Sequence, residues 1–174
     1  MSKLISRAEE FARRAHGDIR QVRKYTGEPY IDHPRRVAEI VASVTDDPVL
    51  IAAAWLHDVV EDTPVSMEEI ESLFGKEVAG IVSFVTKVVD GTEIGRENAA
   101  RINISHAARG SSASKTVKLA DVIDNASDIV DHDPDFARVY LREKKMLMEH
   151  LEEGDPILFR RASALLEKLL QRLG

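Results

Sequence analysis

The chain has 174 residues, 44% of them hydrophobic, enough for one substantial core and too few for two comfortable domains. A formal net charge of −6 argues against nonspecific binding to nucleic acid or to a membrane surface, so any anionic ligand must be held by local cations. With no cysteine, disulfides and thiolate metal sites are excluded, and a metal must rely on His and carboxylate ligands.

Taken in order, the chain opens on an amphipathic helix from Ser2 to His16, with Leu4, Ile5, Ala8, Phe11, Ala12 and Ala15 on its apolar positions; it is not a continuous apolar segment of the signal-peptide kind. Gly17 to Ile31 reads as a loop with a basic segment, Arg20, Arg23 and Lys24, followed by Gly27 and Pro29. Asp32-His33-Pro34 predicts a helix start with Asp32 as cap, and Val37, Ile40, Val41 and Val44 form its core stripe. Asp47-Pro48 starts the central helix in the same way, and Asp62-Thr63-Pro64 ends it. Ser66 to Glu69 is a capping box opening a short helix that Gly75 stops. Further helices are predicted over Lys76 to Val88, Arg96 to Arg109, Ser114 to Ile129, Pro134 to Glu152 and Pro156 to Leu173, the last capped by Asp155. Strand signals are weak, so the expected fold is all-α, one domain over 1–174, with the last two helices at about 134–173. No window is apolar for long enough to span a bilayer, and the expected location is the cytoplasm.

The central helix carries the first anomaly. Leu50, Ala54, His57, Asp58 and Glu61 fall on one helical face, so an apolar stripe runs into imidazole and carboxylate. An ionised Asp in an apolar interior costs several kcal/mol unless it is paired or metal-bound, on the order given by burial of charge. A second acidic stripe, Val117, Asp121, Asn125 and Asp128, lies on a helix otherwise anchored by Leu119, Val122, Ile123 and Ala126. Convergence of His33, His57, Asp58 and Asp121 gives two imidazoles and two carboxylates, a set suited to Mn²⁺, Fe²⁺ or Zn²⁺. A divalent ion there lowers the pKa of water and polarises a phosphoryl oxygen, which points to phosphoester hydrolysis. Glu61 and Asp62, about one turn further on, are candidates for orienting or deprotonating the attacking water and for handling protons.

At these residues the sequence resembles the HD superfamily of metal-dependent phosphohydrolases, whose pattern is a His, a His-Asp pair and a distant Asp. Gly27-Glu28-Pro29-Tyr30-Ile31-Asp32-His33-Pro34, Leu56-His57-Asp58-Val59-Val60-Glu61-Asp62-Thr63, Phe74-Gly75, Val85-Thr86-Lys87 and Val117-Lys118-Leu119-Ala120-Asp121 with Asn125 are similar to the hydrolase domain of RelA/SpoT-type proteins, over about 11–129. The resemblance implies an all-helical HD-domain bundle, His33, His57, Asp58 and Asp121 as metal ligands, generally of Mn²⁺, and Glu61 and Asp62 as catalytic residues. It implies a nucleotide substrate, ppGpp or pppGpp, whose 3′-pyrophosphate is removed to leave GDP or GTP, with Arg23 against the base, Lys24 close to it and Asn125 beside the site. The length resembles stand-alone small alarmone hydrolases. The loop from Arg23 to His33 is one residue longer than in many long family members, Val122-Ile123-Asp124 replaces more basic and aromatic residues, and Glu93 to Ser114 matches poorly.

A polyphosphorylated substrate needs cations beyond the metal. Lys87, Arg96, Arg101, His106, Arg109, Lys115 and Lys118 lead up to Asp121, with Lys115 and His106 the favoured contacts, and Tyr140 and Lys144 one turn apart on the next helix are candidates to close the pocket. Rival readings are the same chemistry on another nucleotide, such as the 2′-phosphate of NADPH to which small animal members of the family are linked, and a non-catalytic nucleotide sensor. The intact Glu61 and Asp62 argue against the sensor.

Overall fold

The computed structural model describes residues 2–174, and the chain is all-α: among the described residues the β pairing is a single antiparallel bridge between Val22 and Pro29. Its contacts divide it into two units, the first ending at Thr86 and the second running Lys87–Gly174.

In the first unit, α3 (Pro48–Leu56) is buried all round from Leu50 to Leu56, as expected of a helix with no polar face. Its Ala52-Ala53-Ala54 run lets α1 (Lys3–Asp18), α2 (Asp32–Ala42) and α6 (Lys76–Val85) pack against it, while α5 (Met67–Phe74) packs on α6. Several local signals act as the sequence predicts. Asp47 accepts from the Val49 amide at 2.9 Å with Pro48 at the first helical position, and Ser66 accepts from the Glu69 amide at 3.2 Å. Asp32 differs. It is the first residue inside α2 and makes no cap bond; its carboxylate meets Arg35 Nε at 3.4 Å instead.

The predicted continuous helix from Leu50 to Thr63 is broken. It ends at Leu56, turns through His57 and Asp58, and resumes as the short α4 (Val59–Asp62). Asp58, at φ −101° and ψ −5°, lies in the sparsely occupied bridge between the helical and extended regions.

The end of α1 also has a specific geometry. Arg20, at φ 51°, takes the left-handed position usually given to glycine, its amide bonds the Gly17 carbonyl at 2.9 Å and the Gln21 amide bonds the His16 carbonyl at 3.1 Å. This pair of bonds is a Schellman turn, and it folds Gln21 back over the end of the helix.

In the second unit, α8 (Ser112–His132) runs beyond the predicted Ile129 and packs against α9 (Pro134–Met148) and α10 (Pro156–Leu173); α7 (Arg96–Ala108) contacts α8 and α9. The α9–α10 turn docks directly on α8. The Asp155 amide donates to Thr116 Oγ1 at 2.8 Å, and Lys115 pairs with Glu153. A Cβ on Gly154 would lie 2.8 Å from Leu119 Cδ1 and 3.1 Å from both the Leu151 oxygen and the Lys115 carbonyl carbon. Two of those neighbours are backbone and the third is a fully buried leucine, so Gly154→Ala should destabilise the protein by about 1–3 kcal/mol, the usual cost of overpacking, read as a lowered denaturant midpoint.

Candidate metal centre

His33 sits in the first turn of α2 and His57 at the end of α3, 0% and 1% exposed, and the break after Leu56 turns Asp58 toward both. His33 Nε2 and His57 Nε2 are 3.2 Å apart, His33 Nε2 and Asp58 Oδ2 3.3 Å, and His57 Nε2 and Asp58 Oδ2 3.1 Å. The three ligand atoms thus form a nearly equilateral triangle.

That triangle fits a divalent ion. With metal–ligand bonds of about 2.1 Å, neighbouring donors lie about 3.0 Å apart in an octahedron and about 3.4 Å apart in a tetrahedron, and the observed edges fall between the two. The protonation pattern agrees. His57 Nδ1 is 2.8 Å from the Ala54 carbonyl, which only accepts, so Nδ1 carries the hydrogen and Nε2 faces the triangle with a lone pair. Mutually facing lone pairs repel unless a cation or a proton lies between them. The site is suited to a divalent metal.

Tyr30 supports it from the loop before α2. Its hydroxyl donates to Asp58 Oδ2 at 2.6 Å, and its ring stands edge-on to His33 with centroids 5.7 Å apart. Tight backbone bonds fix this loop: the Tyr30 amide to Gln21 O at 3.0 Å, the Arg23 amide to Glu28 O at 2.8 Å and the His33 amide to Tyr30 O at 2.9 Å.

The two aspartates on this turn differ electrostatically. Burial pushes the Asp58 carboxyl up, but its two imidazole neighbours, His57 first and then His33, outweigh it and hold it well below the usual carboxylate range. Asp62 is pushed up, first by burial and then by the charge of Asp58, with a hydrogen bond from Gln21 opposing. Gln21 Nε2 donates to Asp62 Oδ2 at 2.9 Å. Glu61 is half-buried beside it on α4.

The remaining predicted residues separate as follows. Arg23 is half-buried in the loop, and Lys24 is exposed with its ammonium 4.9 Å from the Tyr25 ring centroid. In the second unit, buried Asp121 accepts from Asn125 Nδ2 at 2.5 Å and pairs with Lys118 Nζ at 3.0 Å, so the stripe 118–121–125 is assembled as one face of α8. Lys144 lies with its ammonium 4.8 Å from the Tyr140 ring centroid, and its pKa is lowered to about 8, by burial first and then by Lys118, with Asp121 opposing and Lys87 adding to the effect. His106, in the last turn of α7, meets Arg109 just past the helix end at 3.4 Å. Lys115 is turned to Glu153 and anchors the α9–α10 turn, an assignment other than the predicted phosphate contact. Sequence reasoning missed Tyr30, Gln21 and His16. Of these, His16 carried a signal: it continues the buried Ala8, Ala12 stripe of α1 at i+4, the same polar interruption that singled out His57.

The family described as HD domain matches residues 8–151. Over 147 residues the chain is 41% identical to a probable guanosine-3′,5′-bis(diphosphate) 3′-pyrophosphohydrolase of Synechocystis sp., covering 82% of this chain and 19% of that protein. It is 43% identical over 104 residues to the guanosine-3′,5′-bis(diphosphate) 3′-pyrophosphohydrolase MESH1 of Drosophila melanogaster, covering 58% of this chain and 56% of that one. The chain therefore spans about one-fifth and just over half of these two relatives. A solved structure described as a metazoan ortholog of SpoT that hydrolyses ppGpp superposes with a TM-score of 0.83 at 30% identity, covering 100% of this chain and 97% of that one. With the family match extending over most of its length, the chain belongs to the HD domain family.

Proposed function

We propose that the chain is a metal-dependent phosphohydrolase that removes the 3′-pyrophosphate of ppGpp and pppGpp, releasing pyrophosphate and GDP or GTP. The observation that carries this reading is the triangle of His33 Nε2, His57 Nε2 and Asp58 Oδ2, one turn of chain away from a carboxylate of raised proton affinity. The substrate is taken from the names of the relatives.

His33, His57 and Asp58 are assigned as metal ligands, and the family's motif order assigns the fourth to Asp121. Mn²⁺ is the proposed ion; bound there it would polarise the phosphoryl group and favour ionisation of the attacking water. The reaction joins the oxygen of water to the phosphorus attached to the ribose 3′ oxygen and breaks the bond between them. One proton must leave the water and one must reach the 3′ oxygen. Asp62, pushed up first by burial, is assigned to accept the first and return the second, and Glu61 to orienting the water. Arg23, with Lys24 next to it, is assigned to the base. Lys144, with Tyr140, Lys118, Lys87 and Asn125, is assigned to the substrate's anionic groups, and His106 to a peripheral contact.

Purified protein given ppGpp and Mn²⁺ should release pyrophosphate and GDP, and Glu61→Ala with Asp62→Ala should reduce the rate by about 10²–10⁴-fold, as expected for loss of general acid–base groups. Phosphate release from NADPH in the same panel would reassign the substrate, and no turnover by metal-loaded protein would overturn the reading. Tyr30→Phe removes the hydroxyl that orients Asp58 and should weaken Mn²⁺ binding by about 10–100-fold in calorimetry with little change in Tm. Because Lys144 loses its proton near pH 8, KM for ppGpp should rise as pH increases through that value, and Lys144→Arg should hold KM flat to higher pH in a stopped assay.

A further inference from the structure

His16 is 1% exposed and is not one of the three triangle donors, yet it is polar on a stripe that Ala8, Phe11 and Ala12 make apolar. Its Nδ1 lies 2.7 Å from Gln21 Oε1, and Gln21 Nε2 donates to Asp62 Oδ2. The direction of this chain of bonds is fixed from its far end. A carboxylate accepts, so Asp62 draws the amide nitrogen of Gln21; the amide oxygen then faces His16, whose Nδ1 must carry the hydrogen. The other ring nitrogen, Nε2, has no hydrogen-bond partner among the described residues.

Leaving a buried acceptor unpaired costs stability, and a leucine or phenylalanine would fill the same space without that cost. Packing therefore does not account for an imidazole here. Its bond to Gln21 does. The Schellman turn through left-handed Arg20 folds Gln21 back onto His16, and the Tyr30 ring, 5.0 Å from the His16 ring by centroid, covers the same pair. Burial lowers the proton affinity of His16, which favours the neutral ring that this bonding pattern requires.

We propose that His16 is a positioning residue that, through Gln21, fixes the orientation of the Asp62 carboxylate for hydrolysis. The role rests on the phosphohydrolase reading above. It predicts a loss in the chemical step alone, because His16 and Gln21 are assigned neither to metal nor to substrate.

The test compares His16→Leu, His16→Asn and Gln21→Met with wild type under saturating Mn²⁺ and ppGpp. His16→Leu keeps the bulk and removes the donor; His16→Asn places an amide N–H where Nδ1 was. His16→Leu and Gln21→Met should each lower kcat by about 10–100-fold, with KM and the Mn²⁺ dissociation constant within about threefold of wild type, since misplacing a reacting group costs rate before affinity. His16→Asn should recover most of the loss, and the His16→Leu/Gln21→Met double variant should be no worse than either single one. Nitrogen-15 NMR of the metal-free protein should show Nδ1 protonated and Nε2 bare at His16. A ring protonated at Nε2 overturns the inference whatever the activity. Unchanged kcat in His16→Leu overturns it while the hydrolase reading stands, and so does a His16→Asn as impaired as His16→Leu. A wild type silent on every nucleotide overturns the hydrolase reading and this catalytic role together, even with the Nδ1-protonated ring.

Discussion

Holding two imidazole nitrogens and a carboxylate oxygen within 3.3 Å of one another is the constraint on which the first unit depends. In a regular helix adjacent side chains diverge by about 100°, so His57 and Asp58 reach one point only through their side-chain conformations. The backbone departs from regular helix at Asp58, φ −101° and ψ −5°, where its carboxylate meets both imidazoles. His57 Nδ1 holds the Ala54 carbonyl, an acceptor in the last turn of α3, and so ties the ring to the helix it leaves. The buried alanine run beneath gives α1 and α2 a close floor to pack on, and His33 enters from the first turn of α2. Packing and chemistry thus share a few residues, and the three converging donors are spaced to suit a divalent cation.

Much of the frame was legible because it is local. Asp47-Pro48 and Asp155-Pro156 are caps whose partners lie two or three residues away, and the Asp121 stripe is regular because α8 is continuous through it. The break at His57–Asp58 was not legible, since the residues from Leu50 to Thr63 satisfy helical periodicity and nothing among them is a strong breaker. Asp32 misled for a related reason: it has the residue type of a cap, but the turn from Pro29 to His33 draws it inside the helix. Tyr30, Gln21 and Asp62 meet through a loop and a helix end whose geometry depends on Arg20 adopting a conformation that its sequence does not announce.

Register also sorts the lysines of the second unit. Lys118 is three residues before Asp121 and Asn125 four after it, so all three occupy one face of α8. Lys115 is six residues before Asp121, about 240° around the helix, and so is directed to the turn at Glu153. The choice among basic residues that composition leaves open is decided by 3.6 residues per turn. The same face places Lys118 where its charge, after burial, lowers the proton affinity of Lys144.

Asp58 and Asp62 show how one short segment yields two chemically different carboxylates. They are four residues apart, and the Asp62 amide even bonds the Asp58 carbonyl at 2.9 Å. Burial acts on both in the same direction, so it cannot distinguish them. Their partners do. Asp58 faces two imidazoles that favour its charged form, while Asp62 has hydrogen bonds from Gln21 and Tyr30 set against burial and the field of Asp58 across the turn. The more firmly Asp58 stays ionised, the more its charge raises the proton affinity of Asp62. A divalent cation held by Asp58 would offset that charge and leave burial as the main cause acting on Asp62, and residue type alone, aspartate in both cases, carries none of that distinction.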